Sequence, residues 1–148
     1  MEIVSRAPFR VRRRVGWGAC DPAGIIYTPR GVEFAVEVLE AWWREVLEVP
    51  WPVLLDALQG GSPIVHLELD YRRPLRPEDE LTMTLWLEAI GGASARYRVR
   101  GEVAGETAFE CVLVAVSIDR ARFRARRIPD ALRARMERYR ADCGTGNS

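Results

Sequence analysis

The chain has 148 residues, of which 48% are apolar and 29% charged, and its formal net charge is +1. That length fits one domain with a real hydrophobic core, and the mixture is that of a globular protein rather than a disordered one. The near-neutral balance gives no global field for nucleic acid, and because all 22 basic residues are Arg, Schiff-base and lysine general-base chemistry are excluded.

In chain order, Phe9, Val11, Arg13, Val15 and Trp17 alternate with Arg10, Arg12 and Arg14, which predicts a first strand. Gly18, Pro22, Gly24 and Pro29 then punctuate a shaped loop around one carboxylate, Asp21. From about Gly31 to Leu47 no Pro interrupts the run, and Val32, Ala35, Val36, Leu39, Trp42, Trp43 and Val46 recur at helical spacing. Pro29 suits the start of that helix. Pro50-Trp51-Pro52 breaks the chain, and Val53 to Gln59 predicts one or two helical turns before Gly60-Gly61.

The period then changes to two. Val65, Leu67, Leu69 and Tyr71 form one alternating strand; Leu81, Met83, Leu85 and Leu87 a second; Ala95, Tyr97, Val99, Gly101 and Val103 a third. Thr107 to Ile118 is apolar on both parities, which predicts a more buried strand. The links Pro74–Glu80, Gly91–Ala93 and Ala104–Glu106 are short, so consecutive strands are expected to pair antiparallel. Ile128 to Ala141 predicts a charged C-terminal helix, and Cys143 to Ser148 a frayed tail. The result is one α+β domain over residues 1–148, with its core at about 9–140 and a long helix laid on one curved antiparallel sheet.

Cys20, Cys111 and Cys143 are odd in number and form no CxxC pair. That argues against a disulfide framework or a metal site and fits a reducing, cytoplasmic setting. The N-terminus shows no signal-type apolar region and no run reaches membrane-spanning length. No membrane partner and no nucleic acid are expected.

An acid on a loop that leads into a helix N-terminus suits acyl transfer, because the helix end offers free N–H groups and positive potential to a developing oxyanion. Asp21 also has a plain reading as an Asx-turn or capping residue. Cys20 has no His nearby in sequence and reads as a small buried hydrophobe. His66, the one histidine, reads as a solvent-facing strand residue. Glu33 and Glu37 read as a solvated or interface face, and Trp42, Trp43 and Trp51 as core or interface.

Gly18-Ala-Cys-Asp21-Pro-Ala-Gly-Ile-Ile-Tyr-Thr-Pro29 resembles the active-site signature of the 4-hydroxybenzoyl-CoA thioesterase family of hotdog-fold proteins, and Gly61-Ser62-Pro63-Ile64-Val65 resembles a second family segment. The resemblance implies the hotdog fold, with a long central helix wrapped by a curved sheet. It implies hydrolysis of an aromatic acyl-CoA thioester, as in aromatic degradation. It also implies a homo-oligomer, a dimer of dimers joined at sheet edges, with sites between subunits. By position, Asp21 matches the catalytic carboxylate, as nucleophile or as general base on water. The backbone N–H of Thr28 matches the donor that polarises the thioester carbonyl. Gly24, Tyr27, Gly61, Ser62 and Pro63 match substrate-binding positions. No cofactor and no metal are implied; coenzyme A is part of the substrate.

One departure is visible. Where that family places a basic pair before the third long strand, this chain has Gly91-Gly92-Ala93. The CoA phosphates are therefore expected on the later Arg run, with Arg124, Arg126 and Arg127 as candidates. Short-chain, naphthoyl-CoA and carrier-protein thioesters are the alternative substrates. A hotdog hydratase would want His five positions after the Asp, and position 26 is Ile. A non-catalytic acyl-CoA-binding module would keep the fold without needing Asp21.

Overall fold

The computed structural model describes residues 1–144. Strands β1 (Glu2–Arg6) and β2 (Phe9–Arg14) form a hairpin, and α1 (Pro29–Glu45) follows the Gly/Pro loop. Then come β3 (Gly60–Gly61), β4 (Ile64–Tyr71), β5 (Glu80–Ile90), β6 (Ser94–Val103) and β7 (Glu106–Val116). The short strands β8 (Ile118–Asp119) and β9 (Arg124–Ala125) and the helix α2 (Asp130–Cys143) close the chain. Six strands make one antiparallel sheet in the order β1-β2-β5-β6-β7-β4, and β3-β8-β9 form a small second sheet. A long helix lies on one face of the large sheet, which is the hotdog arrangement expected from the sequence.

α1 buries Phe34, Val38 and Trp42, spaced four apart, together with Ala35, Leu39 and Ala41. Trp42 is fully buried, edge-on to Tyr97 at 5.4 Å and to Tyr139 at 5.3 Å. Beneath the helix the sheet offers Leu81, Met83, Leu85, Val99, Phe109, Cys111 and Leu113, all with no exposure. Burying such side chains contributes about 1.5–3 kcal/mol each before chain entropy is counted. α2 docks beside α1 through Tyr139, whose hydroxyl donates to Leu85 C=O at 2.5 Å and accepts from Phe9 N–H at 2.8 Å. Arg13 staples α1 to the sheet from the side: its guanidinium lies 4.0 Å from the Phe34 ring centre and 2.6 Å from Glu37.

The structure differs from the sequence reading in four places. The buried stripe of α1 is rotated from the expected one, and Val32, Val36, Trp43 and Val46 lie half-buried on its flank. The helix is apolar over more than one face, and the sheet covers only part of it. β1 was not expected; its residues are mostly exposed and too few to show a period. β4 does not pair with β5 across the Pro74–Glu80 link but with β7, on the far side of the sheet. Leu75 in that link is fully buried, so the chain is drawn across the fold instead of turning back. β7 is well buried, as its apolar run predicts, with no exposed residue after Glu106: Cys111 and Leu113 are covered, and Val112, Val114 and Val116 are half-buried on the outer face, where no described element packs. Finally, α2 runs on through Cys143, with Gly144 as its cap; the rest of the predicted frayed tail, 145–148, lies outside the described residues.

β4 is an edge strand with apolar side chains left uncovered, Val65 at 61% and Leu67 at 41% exposure. Its open backbone edge and these side chains form a surface suited to a further strand.

Candidate active site

Residues 17–28 fold into a closed loop. Trp17–Ala19 is a single 3-10 turn, Cys20 and Ile26 bridge, and Tyr27 N–H donates to Ala19 C=O at 2.9 Å. Within it Asp21 N–H donates to Ile25 C=O at 3.0 Å and Gly24 N–H to Asp21 C=O at 2.9 Å. Gly24 has φ +80°, the left-handed region where a side chain is strained, so glycine is required to close this turn.

The link between β4 and β5 holds the loop from outside. Ile26 N–H donates to Leu75 C=O at 2.8 Å, Val15 N–H to Asp79 C=O at 2.8 Å, and Trp17 Nε1–H to Glu78 at 2.9 Å. The crossing that sequence spacing missed is therefore what fixes the loop.

Asp21 is half-buried. Its Oδ1 accepts Ala23 N–H at 2.9 Å, so the Asx turn is present. That turn uses one oxygen, and among the described residues Oδ2 has no partner. The Cys20 thiol beside it is pushed above its ordinary value, first by burial and then by the charges of Asp21 and Asp79. It stays protonated near neutral pH and is a poor nucleophile.

Thr28 enters α1 with helical dihedrals, and Pro29 follows at the first position. Among the described residues Thr28 N–H has no acceptor. The Tyr71 hydroxyl, at the end of β4, reaches into this helix turn and bonds both Thr28 C=O and Gly31 N–H. Thr28, Tyr71, Arg72 and Arg73 line a cleft of about 320 Å³ with Ile25, Ile26 and Pro74. Arg72 pairs with Glu110 at 3.7 Å and Arg73 with Glu106 at 3.0 Å. Tyr27 is 54% exposed on the loop surface.

The remaining predicted residues lie elsewhere. Gly61, Ser62 and Pro63 sit at the opposite end of β4, about 25 Å away along an 8-residue strand. Ser62 and Pro63 open onto a second groove of about 480 Å³, whose walls are Trp43, Trp51, Val36 and Leu39, with Glu40 and Arg44 at the rim. Glu40 has no ion pair among the described residues. Gly61 is packed against Ile118, 3.0 Å from where a Cβ would stand.

The arginine candidates are near that end, because β3 pairs with β8 and β8 with β9. Arg124 is exposed. Arg127 pairs loosely with Asp130 at 3.6 Å. Arg126 turns inward and donates to Leu58 C=O at 2.8 Å, a structural bond that takes it away from solvent. One chain thus brings Asp21, Gly24, Tyr27 and Thr28 together, and Gly61, Ser62 and Pro63 together, but not the two sets.

The other residues weighed in the sequence have ordinary partners. His66 is exposed with Nε2 2.8 Å from Glu68; Glu33 pairs with Arg30 at 2.8 Å. Among the described residues no group of acidic, His or Cys side chains could hold a metal, and no helix is long and apolar enough to cross a membrane. Sequence reasoning missed Tyr71, Arg72 and Arg73. The signal was there in Tyr71-Arg-Arg-Pro74, where an alternating strand ends in a basic pair before proline.

The thioesterase-like superfamily model matches residues 15–136. No curated protein matches the sequence. A thioesterase-superfamily structure from Jannaschia sp. CCS1 is 34% identical, with TM-score 0.83, covering 93% of this chain and 96% of its own. The SAV2348 protein of Staphylococcus aureus in complex with CoA has TM-score 0.86 at 12% identity, covering 92% of this chain and 85% of its own. The 1,4-dihydroxy-2-naphthoyl-CoA thioesterase Slr0204 of Synechocystis has TM-score 0.79 at 17% identity, covering 86% and 94%. The family match over most of the chain, the Jannaschia relative and the helix-on-sheet architecture together place this protein in the thioesterase-like superfamily, as a hotdog-fold thioester hydrolase.

Proposed function

We propose that this protein hydrolyses an aromatic, benzoyl-type acyl-CoA thioester to the free carboxylate and coenzyme A, in the manner of the 4-hydroxybenzoyl-CoA thioesterase family. The observation that carries the reading is the pairing, in one rigid loop, of a carboxylate oxygen without a partner on Asp21 with a helix-entry N–H without an acceptor on Thr28. Thr28 N–H, backed by the positive end of α1, stabilises the oxygen of the thioester carbonyl as charge builds on it. Asp21 either attacks that carbon, giving a mixed anhydride that water then opens, or takes a proton from an attacking water. In both routes the C–S bond breaks, CoA leaves as its thiolate and is protonated, and one water is consumed.

The acyl group is placed in this reading in the groove of Trp43, Trp51 and Pro63, with flat walls that suit an aromatic ring. Glu40 at its rim offers an acceptor to a ring hydroxyl. Arg124 and Arg127 serve the CoA phosphates. Because the groove and the Asp21 loop stand at opposite ends of β4, the reading requires a second copy. Two β4 edges joined antiparallel set the Thr28 end of one copy against the Ser62 end of the other, and two such dimers form the tetramer.

The test is thiol release from benzoyl-, 4-hydroxybenzoyl-, dihydroxynaphthoyl-, acetyl- and hexanoyl-CoA. The expected result is the highest kcat/KM on a benzoyl-type thioester. A preference for the aliphatic thioesters contradicts the aromatic assignment, and silence on all five contradicts the acyl-CoA reading. Cys20→Ser is expected to retain turnover within about two-fold, since a raised thiol pKa leaves little thiolate; complete loss in the same assay would make Cys20 the nucleophile.

A further inference from the structure

Tyr71 closes the first turn of α1 from 40 residues away. A helix leaves its first N–H groups without intrahelical acceptors, and at this terminus each is accounted for. Pro29 has none. Arg30 N–H donates to Tyr27 C=O at 2.8 Å. Gly31 N–H donates to the Tyr71 hydroxyl at 3.1 Å, and that hydroxyl donates in turn to Thr28 C=O. Thr28 N–H alone remains without an acceptor among the described residues.

The fit leaves room for little else. A Cβ on residue 31 would stand 2.3 Å from Tyr71 Oη and 2.9 Å from Cζ, so the ring reaches this turn only because residue 31 is glycine. On its other side the Tyr71 ring meets Phe109 edge-on, with centres 6.3 Å apart.

We propose that Tyr71 is the positioning residue of the oxyanion donor: its hydroxyl occupies the competing Gly31 N–H and holds the Thr28–Pro29 peptide by its carbonyl, so that one N–H, in one direction, is left for the thioester oxygen. The inference rests on the thioesterase reading above. A second free N–H, three residues further on at Gly31, would attract water or the carboxylate product, because helix N-termini bind anions. A carbonyl oxygen shared between two donors sits off the line of attack, and small misplacements of reacting groups cost large factors in rate. Tyr71 is the last residue of β4, the edge strand. The geometry of the donor is thereby tied to the strand on which the proposed reading seats a second copy. Burial pushes the Tyr71 phenol above its ordinary value, so it keeps the proton it donates through the neutral range.

The experiment compares native protein, Tyr71→Phe and Asp21→Asn on the best thioester of the panel. Amide exchange at Gly31 and at mid-helix Leu39 is followed by NMR. Tyr71→Phe is expected to lower kcat by about 10- to 100-fold, to leave KM within about three-fold, and to speed exchange at Gly31 but not at Leu39. A merely structural tyrosine would lower the melting temperature without separating kcat from KM. Native kcat in Tyr71→Phe, or unchanged exchange at Gly31, overturns the inference. If Asp21→Asn is inactive and Tyr71→Phe fully active, the thioesterase reading stands and only the role of Tyr71 falls. A native protein silent on every thioester removes both.

Discussion

Asp21→Asn is expected to lower kcat for thioester hydrolysis by about 10²-fold or more, with KM and thermal stability nearly unchanged. The reason lies in how the carboxylate is divided. Oδ1 accepts Ala23 N–H and closes the Asx turn, and the amide oxygen of Asn repeats that bond at the same place. The bridge of Cys20 with Ile26 and the turn at Gly24 are backbone features that the substitution does not touch. What disappears is the charge and basicity of the other oxygen, which is the part the proposed mechanism uses. Thiol release and a thermal melt, run on the same preparation, separate the two effects. A variant that melts like the native protein and turns over like it would remove Asp21 from the mechanism.

The second large effect is expected from Leu67→Glu: a monomer in sedimentation at micromolar concentration, folded but with turnover near background. Leu67 lies in the middle of β4, 41% exposed on the edge of the sheet. In a two-fold interface every substitution acts twice. Losing the burial of the exposed part of two leucine side chains costs about 1–2.5 kcal/mol, and two carboxylates facing each other across the axis add repulsion. The lost burial alone corresponds to a weakening of roughly 10- to 10²-fold in dimer Kd. Leu67→Glu has little effect on the single chain, since the side chain is already partly in water. A variant that stays dimeric would place the interface elsewhere. A monomer that remains fully active would show that one chain holds a complete site.

Much of this was legible from local pattern. The helical spacing from Val32 to Val46 and the period of two from Val65 to Val103 each report on neighbours a few residues away, and those elements were found within a few residues. Strand partners are not local. Nothing in the link Pro74–Glu80 says that β4 crosses to β7; only the strand pairing of the folded chain shows it, with Leu75 of the link buried on the way. The face of α1 was misplaced for a related reason: a helix apolar on two sides gives a broad pattern, and which side meets the sheet depends on what the other side meets. In the site, Asp21 stood out because Gly and Pro mark the loop that carries it, and Thr28 only through the family resemblance of that loop. Tyr71 did not, since a tyrosine ending an alternating strand reads as one more face residue. Its hydroxyl finds its partners in a helix remote in sequence. The inward turn of Arg126 was equally hidden, because a run of arginines does not show which guanidinium meets a backbone carbonyl.

In the proposed dimer the Asp21 loop of one copy works with the groove at Ser62 of another. Co-expression of Asp21→Asn with Ser62→Trp, which fills that groove, separates this arrangement from a site within one chain. Each variant alone is expected to be inactive. In mixed dimers one of the two sites combines an intact loop with an open groove, so random assembly restores about a quarter of the native specific activity. If loop and groove of the same chain formed the site, every site in the mixture would carry one defect, and thiol release would stay at the level of the inactive parents.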